Sequence, residues 1–225
     1  MVNSTEIPDH LAAHFTYHPY AARFRILDPS TGTQTASESE SFSIVSIHLR
    51  PESVIEEIVA LEQVARWVAG RWAPYQVNGS PDRPLVGSVP PYSDTGSDGL
   101  DLMRNTTLGI HCSGGAGNVI VLGDFNADCS YVRASEWPAI ALRNREDLYH
   151  WLIGDDADTN VASGSSCAYD RIVATNAVLP RLNQSTARVH RFDLALNLTD
   201  DLARRVSDHY PVAVDWLPIG SVNSS

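Results

Sequence analysis

Four apolar runs of this chain end in side chains that can move protons or hold a cation. His48 closes FSIVSIH, and Asp124 and Asn126 end NVIVLGDFN. Asp170 opens DRIVATNAV, and Asp208 with His209 stands directly ahead of YPVAVDW. The middle of a strand faces its neighbours, whereas its end opens into solvent or a crevice, so these groups can converge on one face. Two imidazoles, three carboxylates and one carboxamide are a coherent set. A phosphate diester needs a cation to offset its charge, a base to activate water, and an acid or cation for the leaving oxygen. Asp and Asn oxygens suit Mg²⁺ or Ca²⁺, and there is no Cys and His cluster at zinc spacing. Singly, each residue has a plainer explanation: a strand-end His is more often a surface or capping residue, an Asp after Gly serves a turn, and Asp208 ends a loop. The combination carries the argument.

The surrounding pattern predicts the elements that position them. Residues 19–27 (YAARFRILD) alternate loosely and read as a strand, and 42–48 read as a buried one. A helix starts at Pro51, with Glu52, Glu56 and Glu57 at its positive end. Val54, Ile58, Leu61, Ala65 and Val68 give it one apolar face, and Gly70 is its stop. Residues 72–117 are rich in Pro, Gly, Ser, Asp and Asn without a period, which predicts a long, loosely packed loop insertion. Beyond it come a strand at 118–124, a short helix at 135–143 and an ambiguous LYHWLIG. A strand starting near Asp170, a helix at 198–206 capped by Thr199, and a last strand at 210–216 complete the chain. Mixed strands, helices and long loops indicate a layered α/β or α+β class, with its chemistry at strand ends.

Composition sets limits. The chain has 225 residues, enough for one sizeable core, and a formal net charge of -11. That charge argues against a passive nucleic-acid binder with a basic stripe, but not against an enzyme that meets phosphate through a cation held by carboxylates. No stretch is long and apolar enough to span a bilayer, and residues 1–15 lack the apolar core of a signal peptide. Yet six of the eleven asparagines, Asn3, Asn78, Asn105, Asn183, Asn197 and Asn223, lie in N-x-[ST] sequons, which favours a secretory ancestry. Three cysteines, Cys112, Cys129 and Cys167, leave one over from any pairing.

GDFNADCSYV, SSCAYDRIV and SDHYPVAV, with FSIVSIHLRP ahead of them, resemble the deoxyribonuclease I family of the endonuclease/exonuclease/phosphatase superfamily. The resemblance runs from about Tyr17 to Trp216, so a deoxyribonuclease-like domain is expected over 17–217, with the insertion at 72–117, an unassigned segment at 1–16 and a tail at 218–225. It implies that family's layered sandwich, hydrolysis of DNA with Mg²⁺ or Mn²⁺, and a structural Ca²⁺. It implies His48 as a catalytic histidine oriented by Asp170, and His209 as a second. Asp124, Asn126 and Asp208 are then the groups around metal and scissile phosphate, with Asn126 and Tyr169 facing substrate. Asp158 is implied as a calcium ligand, Cys129 with Cys167 as a disulfide, and secretion as the setting.

The chain also departs from the pattern. The family's N-terminal part supplies a metal-binding glutamate, an asparagine and a glutamate that orients the second histidine, and residues 1–16 do not match it. An arginine expected near Tyr17 is replaced by Tyr17 or His18. The expectation is therefore an incomplete sandwich with an exposed apolar sheet face, a His209 lacking its partner, little or no DNA cleavage, no membrane contact and no actin binding. The alternatives are a non-catalytic deoxyribonuclease-like remnant with a binding role or none, and another phosphodiesterase of the superfamily.

Overall fold

The structure is a computed structural model that describes residues 3–27, 41–71 and 117–217. Its frame is a six-stranded mixed sheet with the order β1-β2-β3-β4-β6-β5. The strands are β1 (Asn3–Glu6), β2 (Tyr20–Arg25), β3 (Ser41–His48), β4 (Val119–Asp124), β5 (Tyr149–Trp151) and β6 (Asp170–Thr175). Only β3 and β4 run parallel, and parallel neighbours need a crossover. Helix α2 (Val54–Arg71) supplies part of it.

The alternation of the strands sorts the two faces. Val45, Ile47, Val119, Val121 and Val173 point to one side, where they pack against Val54, Ile58, Leu61, Val64, Ala65 and Val68 of α2. Ile120, Ile172 and Ala174 point to the other, where they meet a second, two-stranded layer made of β7 (Leu182–Val189) and β8 (Val212–Trp216). A third small cluster holds Val161, Phe192, Ala203 and Tyr210 together beneath α4 (Phe192–Ala195) and α5 (Asp200–Val206). The expected layered α/β sandwich is thus present. Its second layer covers part of the sheet, and Phe42, Leu122, Val212, Val214 and Trp216 are only partly buried in it.

Within the segment 1–16, without an assignment from its sequence, residues 3–16 are an integral part of the frame. β1 pairs antiparallel with β2, and Ile7, Leu11, Ala12 and Phe15 around α1 (Asp9–Ala12) join the core on the α2 side. Glu57 explains the anchoring. The sequence marks it as a helix-start charge, yet its carboxylate is buried and accepts from the Thr16 N–H at 3.0 Å, the Arg50 N–H at 2.9 Å and the Ser53 hydroxyl at 2.9 Å. A buried carboxylate is tolerated where donors satisfy it. Strand β7 had no clear signal, because LNQSTARV is polar and half-exposed. LYHWLIG resolves as the short edge strand β5, and the expected helix at 135–143 as a 3₁₀ turn followed by the four-residue α3 (Ala141–Asn144). Thr199 caps α5 as expected, its hydroxyl accepting from the Leu202 N–H at 3.4 Å. Cys129 and Cys167 form the disulfide. Cys112 and all of the 72–117 insertion but Gly117 lie outside the described residues.

Gly123 fixes the entry into the GDFN turn. Its φ is 140°, and a Cβ there would collide with the Ile47 carbonyl of the neighbouring parallel strand. Only glycine occupies such backbone without strain. Gly123→Ala should therefore lower the unfolding free energy by about 3 kcal/mol or more. Urea melts of the two proteins measure this, and an unchanged midpoint would contradict it.

Candidate active site

Three strand ends build the site, and register brings them together. His48 of β3 stands opposite Asp124 of β4, and Asp124 stands opposite Asp170 of β6. The three lie in one row across adjacent strands. They continue the face that carries Leu122 and Ile172, each two residues away along its strand, so they emerge beside the second layer. His209 arrives from the loop before β8.

The pairing corrects the expected one. Asp170 holds His209, with Nδ1 to Oδ2 at 2.8 Å, and does not orient His48. His209 accordingly has a carboxylate partner, contrary to the expectation that it lacks one. The reason is topological: β4 lies between β3 and β6, so Asp124 separates His48 from Asp170, while the His209 loop crosses over the start of β6. His48 instead faces Asp124, Nε2 to Oδ2 at 3.5 Å, with its side chain 59% exposed and its ring 5.0 Å from that of Tyr17. The Nδ1 of His209 is also 3.9 Å from the same Asp124 oxygen.

Charge is concentrated here. Burial pushes the Asp124 carboxyl above its ordinary value; the Asn126 backbone N–H and the neighbouring His209 oppose that rise, and the Asp170 charge adds to it. Asp124 Oδ1 accepts from that N–H at 2.8 Å, and Oδ2 accepts from the Asn126 carboxamide at 3.1 Å. The carboxamide also donates to the Leu49 carbonyl at 2.8 Å, and Asn126 adopts φ 48° to do so. The Asp170 hydrogen bond raises His209 above its ordinary value, and burial opposes it. One oxygen each from Asp124 and Asp170 and a nitrogen of His209 lie within 4.8 Å of one another, an arrangement with donors for a cation.

The remaining expected residues fall on the rim or beyond it. Tyr169 precedes Asp170, and its ring stacks on His209 at 5.7 Å and lies 5.5 Å from Tyr131. Asp208 has an exposed side chain and is not part of the three-residue group; its backbone carbonyl accepts from Val161 N–H. Asp158 accepts from its own loop, from the Asn160 N–H at 3.2 Å and the Cys167 N–H at 3.4 Å.

Thr159 went unnoticed in the sequence, where nothing marks it. It is fully buried, and its hydroxyl accepts from the N–H groups of Tyr169 and Asp170 at 2.9 and 3.1 Å. Its carbonyl accepts from the Tyr210 N–H at 2.8 Å, and Asn160 bridges to His209. One residue thus ties the start of β6 to the loop carrying His209. Arg171 is a second such residue, and its signal in the sequence is a cation inside the apolar run DRIVAT. It points to the opposite side from Asp170 and is buried.

Residues 15–209 match the model of the Endonuclease/Exonuclease/phosphatase family. The chain belongs to that family. It is 32% identical over 201 residues to Deoxyribonuclease-1 of Gallus gallus, an alignment covering 89% of this chain and 53% of that protein. The same identity and coverage hold for Deoxyribonuclease-1 of Oryctolagus cuniculus. Deoxyribonuclease-1-like 2 of Homo sapiens is 47% identical over 116 residues, 51% of this chain and 38% of that protein. The resemblance read from the motifs is borne out, and the chain spans about half the length, or less, of these relatives.

The Asp170–His209 pair is testable in the folded protein. Asp170→Asn should bring the His209 pKa down, and Thr159→Val should do so to a smaller extent, with Thr159→Ser restoring it. The sign follows from a folded value above the unfolded value of about 6.5. The pair's contribution to stability is complete below that pH and is lost as pH rises through the folded value. NMR titration of the His209 ring resonances measures the shift, and a titration unmoved by Asp170→Asn would remove the pair.

Proposed function

We propose that this chain hydrolyses DNA phosphodiesters with a divalent cation, using His209 with Asp170 as its principal proton-transfer pair. The hydrogen bond between His209 Nδ1 and Asp170 carries this reading. It commits Nδ1 and leaves Nε2 as the nitrogen that exchanges a proton with water or the leaving oxygen. His48 is the second proton-transfer group, at the open end of β3. Asp124 is the residue best suited to hold the cation, with Asp170 beside it. Burial disfavours Asp124's charge and its oxygens are hard donors, so an Mg²⁺ or Mn²⁺ ion fits the chemistry of the site. When bound, that ion supplies charge neutralisation at the phosphate. Asn126 and Tyr169 flank the substrate, Asn126 through its carboxamide and Tyr169 through its half-buried ring beside His209. Asp208 remains a candidate for the metal surroundings, and Asp158 for a structural Ca²⁺, each from the family resemblance.

DNA is favoured as the substrate by the likeness to proteins named deoxyribonucleases. The net charge of -11 is compatible, because contact with phosphate then runs through the cation. The disulfide and the six sequons support a secretory setting. Among the described residues no helix is long and apolar enough to cross a membrane. A second reading, a DNA-binding protein that does not cut, is favoured by the exposure of His48, whose nearest carboxylate among the described residues is Asp124 at 3.5 Å.

Plasmid nicking separates the two. The chain should nick slowly with Mg²⁺ and Ca²⁺, stop on chelation, and lose nicking with His209→Ala. Asp170→Asn should also fall below detection, since loss of the orienting carboxylate in a comparable triad costs about four powers of ten. His48→Ala should weaken it as well. Nicking indifferent to His209→Ala would sink the first reading, and retention of DNA by gel shift without any nicking would establish the second.

The setting has its own test. Secreted protein should carry Cys129 and Cys167 joined, and their joint replacement by serine should cost about 4 kcal/mol for a loop of this length. A non-reduced digest with both thiols free would contradict it.

A further inference from the structure

Four large apolar side chains stand exposed on the helices that frame the His209 loop. Leu194 is 70% exposed, Leu196 66%, Val206 65% and Leu202 45%. Leu202 and Val206 share one face of α5 at i, i+4 spacing. Leu194 and Leu196 lie at the end of α4 and in the turn after it. Isolated exposed leucines are ordinary, but a group on one small helical pair is the kind of surface that self-associates unless something covers it.

The chain carries its own cover in that turn. Asn197 is exposed, lies between Leu196 and α5, and adopts φ 49°, which projects it from a tight connection between the two helices. It opens the sequon Asn197-Leu198-Thr199. The other two sequons among the described residues are placed differently. The Asn183 carboxamide oxygen accepts from the Ser185 hydroxyl within β7, and that of Asn3 accepts from the Ser4 N–H within β1. No such bond engages the Asn197 carboxamide among the described residues.

We propose that Asn197 is an N-glycosylation site whose glycan shields the apolar surface of α4 and α5. This rests on the secretory setting proposed above and not on nuclease activity. The chemistry is a group transfer: the Asn197 Nδ2 forms a bond to the anomeric carbon of an oligosaccharide, the lipid diphosphate donor leaves, and the amide loses one proton. Thr199 has two parts. Its hydroxyl completes the sequon in the unfolded chain, and after folding it caps α5 by accepting from Leu202 N–H. Transfer therefore precedes the formation of α5, as expected for a modification made on the emerging chain. A carbohydrate with hydroxyls on its outer side then replaces water over the leucines and keeps the region soluble.

The test is secretory expression of the full chain behind a leader, followed by peptide mass spectrometry after enzymatic deglycosylation. The peptide containing Asn197 should show asparagine-to-aspartate conversion at that position, and Asn197→Gln should remove one glycan step from the gel mobility. Thr199→Ser should retain that step and Thr199→Ala should lose it. By light scattering, Asn197→Gln should self-associate at concentrations where the parent is monodisperse. Adding Leu194→Ser and Leu196→Ser to that variant should restore a monodisperse species. An unmodified Asn197 in a secreted, disulfide-bonded protein overturns the proposal while the secretory reading stands. An unmodified Asn197 with Cys129 and Cys167 reduced overturns both. A glycosylated Asn197 whose removal leaves the protein monodisperse overturns the shielding role.

Discussion

The loops of the site hang on one buried cation. Arg171 follows Asp170 on β6 and points to the opposite side, where its side chain is 1% exposed. Nε donates to the Ala168 carbonyl at 2.7 Å. Nη1 reaches the carbonyls of Ile153 and Gly154 and the Asp155 carboxylate at 2.8, 3.0 and 2.9 Å, and Nη2 reaches the Ala127 carbonyl at 3.4 Å. Those acceptors come from three stretches of two loops: the start of the loop after β4, and the beginning and the disulfide-bonded end of the loop that joins β5 to β6. Burial lowers the Arg171 pKa and Asp155 opposes that shift, so the guanidinium is held charged by its partners. A planar fork with five donors can serve these five acceptors at once, which the three donors of a lysine cannot. Removing it would strand several buried carbonyls, the larger part of the cost in such networks.

From that anchor the geometry of the reacting groups follows. With the Ala127 and Ala168 carbonyls held by one guanidinium, the GDFN turn and the CAYD turn cannot drift apart. The Cys129–Cys167 bond and the Asp128 carboxylate, which accepts from Ala168 N–H at 2.6 Å, reinforce the same junction. Thr159 then adds the loop carrying His209. On the same side of the sheet Glu57 does for the N-terminal segment what Arg171 does here: one buried ion serves partners from separate stretches of chain. Both ions are satisfied almost entirely by neighbours fixed in place, which makes the arrangement specific even where it adds little net stability.

Much of this was legible in the sequence, and the reasons are local. FSIVSIH and NVIVLGD reveal themselves by apolar runs, and VIEEIVALEQVARWV by its helical period, because in each the buried face is written as residue type. His48, Asp124, Asp170 and His209 stand out because they break those runs at their ends. The pairing among them was not legible. Strand order decides whether His48 or His209 meets Asp170, and nothing in either strand's own residues encodes that β4 intervenes. Thr159, Glu57 and β7 were hidden for a related reason. Their roles are to satisfy backbone donors or to cover a sheet made elsewhere, so the informative partners are 10 to 41 residues away. The edge strand β1 has four mostly exposed residues and is held by pairing with β2, which no short pattern announces.

The same register that assembles the site also puts it under electrostatic tension. Asp124 and Asp170 are direct cross-strand neighbours in an antiparallel pair, and like charges opposite one another are destabilising. Both side chains are less than a fifth exposed, so water screens them poorly. Burial is the main cause of the raised Asp124 and the Asp170 charge adds to it, while the hydrogen bond to Asp170 raises His209, so the imidazole beside the two carboxylates is favoured in its charged form. A protonated His209 relieves the repulsion from one side, and a divalent cation at Asp124 would relieve it from the other. On the proposed reading, a cation held at Asp124 would favour the neutral imidazole of His209, the form able to accept a proton. A sheet register that is costly for the isolated protein would thereby couple the arrival of the proposed cation to the readiness of the proposed base.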